Sequence, residues 1–182
     1  MKRFLTLLTI ALSLVIINHS CKSDSQKCVD LGLPSGLKWA TCNVGANSPE
    51  EYGSYLTFNE ACDTTYDGLR MPTMDELEEL RKQCTWMWTE QNGVNGYKVA
   101  GPNGNSIFLP AAGSWLMSQL SARLGIVGYR QGGYWSSSPS DTVREGDFYF
   151  ECAYQLYFDS ISHDIESVSD FLDAHSVRLV AE

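Results

Sequence analysis

The chain has 182 residues, of which 43% are hydrophobic and 12% aromatic, an ordinary composition for one globular domain. It carries 13 basic and 22 acidic residues, for a formal net charge of -9 at pH 7. Because nucleic-acid binding depends on Lys and Arg that neutralise phosphates, this balance argues against a nucleic-acid partner.

The first 20 residues have the pattern of a secretory signal peptide. Lys2 and Arg3 precede an apolar run over residues 4–17, and the small Ser20 stands just before Cys21. The run is shorter than the roughly 20 apolar residues that cross a bilayer. A cleaved leader over residues 1–20 is therefore predicted, rather than a membrane span.

Cys21 stands where a lipid would be attached. A cysteine directly after such a leader resembles the lipobox of bacterial lipoproteins, although Asn18 replaces the usual leucine. We predict lipid on Cys21 and a polar tether over residues 21–27, which together hold the protein at a membrane surface. The expected location is the bacterial envelope at the outer membrane, with the side of that membrane left open. Simple secretion with an unmodified Cys21 is the alternative.

Six cysteines are present, and lipid on Cys21 would leave five of them. In an oxidising compartment at least one of these five is then unpaired. The preferred disulfide joins Cys42 to Cys84, because both lie beside strongly structured segments. It would close a loop of about 42 residues, worth about 4 kcal/mol in the chain-entropy model.

Residues 28–182 are predicted to form a single domain, since no repeat or low-complexity linker interrupts them. Its first element is a hairpin in "VDLGLPSGLKWAT", where two short apolar runs flank Pro34, Ser35 and Gly36. A loop rich in turn residues follows.

The clearest helix lies in "MPTMDELEELRKQC". Thr73 is the predicted N-cap, and Glu76 completes a capping box three residues later. Acidic residues crowd the first turns and basic residues the last, as the helix dipole favours. The buried stripe is predicted to comprise Met74, Leu77, Leu80 and Cys84.

After this helix the chain is predicted to be rich in strands. In "TWMWT", Trp86 and Trp88 fall on one face of a strand. Further strands are predicted in "GYKVAG", "SIFLPA", "GYWSSS", "FYFECAYQLYFD" and "SVRLVAE". The segment "WLMSQLSARLG" is either a short helix or an irregular lobe. One or two helices packed on short antiparallel strands define an α+β protein.

The glycine-rich stretch "VAGPNGNSIFLPAAG" is interpreted as a hairpin. A phosphate-binding P-loop would need a lysine after its glycines, and none follows here. Pro102 presets the first corner of a turn, and the Asn103-Gly104 pair tolerates the left-handed corner. No cofactor site is predicted from these glycines.

Ordered sequence blocks carry a family resemblance. The blocks are "VDLGLPSGLKWATCNVGANSPEEYG", "RMPTMDELEELRKQCTWMWT", "NGVNGYKVAGPNGNSIFLPAAG", "GYWSSS", "AYQLYFDS" and "SVRLV". Together they resemble the Fibrobacter succinogenes major paralogous domain family, which is abundant in lipoproteins of gut Bacteroidetes. The resemblance covers nearly all of the chain after the leader and implies a C-type-lectin-like fold, related to the formylglycine-generating enzyme. It implies no established activity.

The fold resemblance raises the question of calcium. Calcium sites of C-type lectins use Glu-Pro-Asn or Gln-Pro-Asp with a downstream Trp-Asn-Asp. This chain has Gly101-Pro102-Asn103 and Trp135-Ser136-Ser137, which lack the carboxylates that calcium requires. No CxxC or Cys/His spacing suggests zinc. We predict neither a metal nor another cofactor.

Catalytic residues are not indicated either. Only His163 and His175 follow the leader, and neither accompanies a Gly-x-Ser-x-Gly elbow. Asp164 and Glu166 flank His163 in a segment interpreted as an exposed turn. No cysteine pair matches the closely spaced active-site cysteines of formylglycine-generating enzymes. The sequence therefore predicts no enzyme activity.

Aromatic and amide side chains suggest a binding function. Trp115 and Tyr129, in the segment that is predicted as a possible irregular lobe, could stack on sugar rings. Trp86, Trp88 and Trp135 are instead expected in the core. Neighbouring loop amides that could bond sugar hydroxyls are Asn92, Asn95 and Gln131. The favoured function is a lipid-anchored, metal-independent module that binds a glycan or a surface protein. The alternative is a structural or adhesive subunit of an envelope or fimbrial assembly that contacts only proteins.

Overall fold

The computed structural model describes residues 27–116, 126–127, 130–145, 148–168 and 173–182. Its helices are α1 (Phe58–Asp63) and α2 (Met74–Gln83). Its strands, in chain order, are β1 (Cys28–Asp30), β2 (Lys38–Ala40), β3 (Thr85–Gln91), β4 (Val94–Ala100), β5 (Ser106–Pro110), β6 (Ser114–Leu116), β7 (Ile126–Val127), β8 (Gly132–Glu145), β9 (Phe148–Phe158), β10 (His163–Val168), β11 (Asp173–Ala174) and β12 (Val180–Ala181).

Within the described ranges the strands form small antiparallel sheets, each of three strands. Their orders are β1-β2-β12, β3-β4-β5, β10-β9-β8 and β11-β6-β7. Every strand pair in these sheets is antiparallel. Two short helices with many short antiparallel strands make the protein α+β, as the sequence predicted.

The first sheet joins the two ends of the described chain. β1 and β2 form the hairpin predicted around Pro34, and the amide of Gly36 bonds the carbonyl of Leu33 at 2.9 Å in its turn. β12 then adds to the other edge of β2, pairing Val180 with Trp39. The final strand is shorter than predicted, since only Val180 and Ala181 belong to β12.

Helix α2 begins where its capping box predicts. The side chain of Thr73 accepts a bond from the amide of Glu76, and the Glu76 carboxylate accepts one from the amide of Thr73. Leu77 and Leu80 are buried, so the predicted apolar stripe faces the core. The shorter helix α1 was not assigned from the sequence, although Thr57 and Glu60 give it a capping box of the same kind.

The core has two clusters. The larger lies between α2, the inner face of β3-β4-β5 and the paired strands β8 and β9, with Tyr97 and Phe158 in edge-to-face contact at 5.3 Å. Trp86 and Trp88 pack against it half-buried. The smaller cluster surrounds Trp135, which is 1% exposed. The prediction of a core position is confirmed for Trp135, whereas Trp86 and Trp88 lie half-buried at the margin of the larger cluster.

The glycine-rich stretch is the hairpin that joins β4 to β5. Val99 lies opposite Ile107, and the connecting turn carries Gly104 at φ 87, a left-handed conformation that glycine adopts without steric cost. The prediction of a turn is therefore confirmed.

The predicted Cys42–Cys84 disulfide is not formed in the structure. Cys84 is a free thiol at the C-cap of α2 and packs against the larger core cluster. Cys42 is buried two residues after the end of β2, and its Sγ lies 3.5 Å from Thr41 Oγ1. Sequence position alone could not show whether the two cysteines are linked to each other.

No helix within the described ranges is long and apolar enough to span a membrane.

Candidate functional site

The two predicted asparagines belong to the β3–β4 hairpin. Asn92 forms its turn at φ 50 together with Gly93 at φ 83, the arrangement that an Asn-Gly pair favours. Its Nδ2 donates to Glu50 Oε1 at 2.6 Å. Asn95 lies in β4, where its carbonyl accepts a bond from the amide of Ala111 at 2.8 Å. Both residues therefore have local structural roles.

The two predicted aromatic residues are not seen together. Trp115 lies in β6 instead of an irregular lobe, and its backbone pairs with Ile126 and Ala174. Tyr129 lies outside the described residues, as does Cys21. An aromatic surface formed by Trp115 and Tyr129 stays a prediction.

Gln131, by contrast, contributes to a cavity of about 160 Å³, here called the polar cavity. Its walls come from the start of β6, the start of β8, the strands β9 and β10, and the residue after β11. Its polar lining side chains are Ser114, Gln131, Gln155, Tyr157, Glu166 and His175.

Strand register brings several of these side chains to one face. Gln155 lies directly opposite Glu166 across the β9–β10 pair, and Tyr157 lies opposite Gly133 across the β8–β9 pair. Directly opposed residues share a face, and residues two apart on a strand share it as well. The same face of the sheet therefore carries the side chains of Gln155, Tyr157 and Glu166.

Gly133 lets the wall close tightly around two buried side chains. A Cβ at this position would lie 2.4 Å from His175 Nδ1 and 2.8 Å from Gln155 Oε1. Both distances are far shorter than a van der Waals contact, so only glycine fits. The two polar atoms thus converge beside this glycine.

Gln155 and His175 are buried polar residues with unsatisfied atoms. They are 5% and 4% exposed. Gln155 Oε1 and both ring nitrogens of His175 have no hydrogen-bond partner within the described part of the chain. Leaving such a group unpaired costs about 1–3 kcal/mol. The fold therefore retains polar groups at the cavity at the expense of stability.

Charge at the cavity is negative. Burial, with the nearby charge of Asp164, raises the pKa of the Glu166 carboxyl. Burial lowers the pKa of His175 to about 4, so its imidazole is neutral at pH 7. Burial, Asp159 and Glu166 raise the pKa of the Tyr157 phenol, which also interacts with Gln131. The cavity thus offers neutral polar groups and one carboxylate.

A second, larger cavity of about 260 Å³ lies beside the β3-β4-β5 sheet. Gln91, Lys98 and Ser106 are among the residues that line it. Gln91 Nε2 already bonds Glu50 Oε2 at 3.3 Å. None of the unpartnered buried atoms found in the described ranges belongs to its lining. The polar cavity is therefore the stronger candidate for ligand binding.

His163 does not lie on an exposed turn, so that expectation was wrong. It begins β10, which pairs along its length with β9. Its half-buried ring stacks on Trp86 with centroids 4.4 Å apart. Burial, followed by the charge of Arg81, lowers the pKa of the imidazole.

Gln155, Glu166 and His175 were not among the predicted ligand-binding residues. A signal for Gln155 was present, since it interrupts the apolar strand "FYFECAYQLYF" with a polar amide. His175 stands beside Ala174 in a buried segment, where an unpaired imidazole is unusual. Only the register of β9 and β10 shows that Gln155 meets Glu166, and only the close approach at Gly133 shows that His175 joins them.

Among the described residues, no group of three or more His, Cys, Asp or Glu side chains could hold a metal ion. The fold and site define an α+β protein with a small polar cavity. No family model, no curated protein and no solved structure matches the chain.

Proposed function

We propose that this protein is a binding module that recognises a glycan by one sugar ring in the polar cavity. The observation that carries the proposal is the pair of buried residues Gln155 and His175, which line this space and carry polar atoms without a hydrogen-bond partner in the described part of the chain. A carboxamide and a neutral imidazole each combine a donor with an acceptor. Sugar hydroxyls, which donate and accept, complement such groups.

Size supports a single ring as the bound group. An apolar cavity of about 150 Å³ holds one benzene molecule, and drug-sized ligands occupy about 300 Å³ or more. The polar cavity, at about 160 Å³, matches the smaller case. The Tyr157 ring in its wall supplies apolar surface for the C–H face of a sugar.

Binding, not catalysis, is the function that His175 supports. A catalytic imidazole is usually oriented by a hydrogen bond to its second ring nitrogen. Neither nitrogen of His175 has such a partner within the described ranges. Burial also holds its pKa at about 4, well below the range in which a general base works at neutral pH.

The location and the finer fold assignment belong to the same proposal. The leader and Cys21 support a lipid anchor that holds the module at the outer membrane of a bacterial envelope. The ordered sequence blocks support a C-type-lectin-like relationship, with which an α+β arrangement of antiparallel strands is compatible.

A glycan screen with paired variants tests the function. The full chain, purified in detergent, is exposed to host and bacterial glycans beside Gln155→Met and Gln91→Met. Gln91 is the matched control, because it undergoes the same change in the wall of the other cavity. We expect saturable binding that Gln155→Met weakens at least about tenfold, equivalent to about 1.4 kcal/mol, and that Gln91→Met retains.

Two results would contradict this proposal. Equal binding by all three proteins would place the glycan site outside the polar cavity. Binding to no glycan would instead favour the structural subunit that contacts only proteins, and crosslinking on cells would then identify its neighbours.

A further inference from the structure

Three residues that line the polar cavity carry hydrogen-bond acceptors. Gln155 Oε1 is unpartnered, and the neutral ring of His175 has one acceptor nitrogen in either tautomer. The third is the Glu166 carboxylate, which also lines the space. A ligand group that donates several hydrogen bonds at once would satisfy all three.

These acceptors lie close enough to share one group. Gln155 Oε1 and His175 Nδ1 converge on the same point beside Gly133. Gln155 and Glu166 are directly opposed across β9 and β10, where Cβ atoms are about 4.5–5.5 Å apart. The strand register and the close approach at Gly133 thus bring the three residues that carry these acceptors to one part of the cavity.

The charge of the cavity selects a cation. Glu166 is the only residue of the described lining that carries a full charge at neutral pH, and Asp164 adds a second carboxylate nearby. No Lys or Arg occurs among the described lining residues. An anionic sugar would therefore meet repulsion, whereas an ammonium would gain charge-assisted hydrogen bonds.

We infer that the sugar recognised in the polar cavity carries a primary ammonium, as an amino sugar with an unacylated amine does. The inference rests on the proposed glycan-binding function and names the chemical class of the ligand. An ammonium is compact and donates three hydrogen bonds, one for each acceptor described above.

Three oligosaccharides that differ at one position test this inference. They are the β-1,4-linked oligomers of glucosamine, of N-acetylglucosamine and of glucose, at equal length, which present an ammonium, an amide and a hydroxyl at C2. Affinities for the detergent-purified full chain are measured by calorimetry in about 1 M salt, where the Debye length is about 3 Å and long-range attraction is screened. We expect the glucosamine oligomer to bind at least about tenfold more tightly than the other two.

Glu166→Gln is the decisive variant, because it keeps an acceptor and removes the charge from an exposed residue. We expect it to reduce the preference for the glucosamine oligomer at least about fivefold. Glu90→Gln is the control, because Glu90 is an exposed residue of β3 and is not among the described residues that line the cavity. It should leave the preference unchanged. Equal losses in the two variants would show attraction to the acidic surface as a whole and overturn the inference.

The remaining outcomes separate the inference from the function on which it rests. Binding of neutral or acylated glycans without preference for the amine would overturn the ammonium inference and leave glycan binding intact. A lysine peptide that binds while every sugar fails would assign the cavity to a protein amine, and it would overturn both statements.

Discussion

Arg178 and Asn43 form a buried hydrogen-bonded pair, in which Nε and Nη2 of the guanidinium donate to Asn43 Oδ1 at 3.0 and 2.8 Å. Arg178 is 1% exposed, and its other donors reach the carbonyls of Ala40, Thr41 and Phe108. Arg178 thus connects the segment just before β12 to β2 and β5. Burial lowers the pKa of the guanidinium.

Arg178→Met should therefore be strongly destabilising. It leaves several buried oxygens without donors, at about 1 kcal/mol or more each, so we expect the free energy of unfolding to fall by about 3 kcal/mol. Urea denaturation measures this. Arg81→Met is the control, because the partly exposed Arg81 pairs with Glu78 on the same helix, an ion pair worth about 0–1 kcal/mol. If both variants lost the same free energy of unfolding, the structural role assigned to Arg178 would be wrong.

Gly133→Ala should distort the polar cavity. The new methyl group would lie 2.4 Å from His175 Nδ1, and the buried ring has little room to move. We expect a loss of about 1–3 kcal/mol in the free energy of unfolding, together with weaker glycan binding. In a His175→Ala background the same change should cost less, because the ring is absent. Additive effects in this double-mutant cycle would contradict the clash.

The sequence predicted those parts of the fold that depend on neighbouring residues. The capping box of Thr73 and Glu76 and the turn at Gly104 are local signals, so both elements could be assigned in advance. The polar cavity depends on register between distant strands. Gln155 meets Glu166 only after β9 and β10 pair, and Gly133 meets His175 although the two residues are 42 positions apart in the sequence. Of the predicted ligand residues whose side chains the structure describes, only Gln131 lines it.

Gln155→Met should increase stability while it weakens binding. Gln155 Oε1 is buried without a partner, and replacing an unsatisfied polar group by an apolar one of similar shape removes a cost. We expect the free energy of unfolding to rise by about 1 kcal/mol in urea denaturation without ligand. A loss of stability with Gln155→Met would show that the amide stabilises the fold, and the role assigned to it in binding would then lack this support.

His175 should remain neutral far below the usual titration range of histidine. Its pKa is lowered to about 4 by burial, from the 6.5 of an exposed imidazole. NMR titration of the ring signals measures the pKa directly. His163, which is only half-buried and also has a lowered pKa, should titrate at higher pH than His175. A His175 pKa near 6.5 would contradict the buried position.

The same shift makes the fold sensitive to acid. Because the unfolded chain binds a proton on His175 below about pH 6.5 and the folded chain does so only near pH 4, stability falls as the pH drops through this window. The loss from His175 reaches at most about 3 kcal/mol below pH 4 and is absent at pH 7. His175→Phe should flatten this part of the stability profile measured by urea denaturation. An unchanged profile would assign the acid sensitivity to other groups.

Cys21→Ala should release the protein from the membrane fraction into the soluble periplasmic fraction. Lipid chains anchor a protein through about 0.8 kcal/mol per buried CH₂ group, and this variant has no thiol to carry them. Cys62→Ala is the matched control, because Cys62 is exposed on α1 and is not placed to receive the lipid. Fractionation followed by mass spectrometry of the first mature residue distinguishes the two. If Cys21→Ala stays with the membrane, the anchor is not a lipid on this cysteine, and the proposed envelope location would need a different attachment.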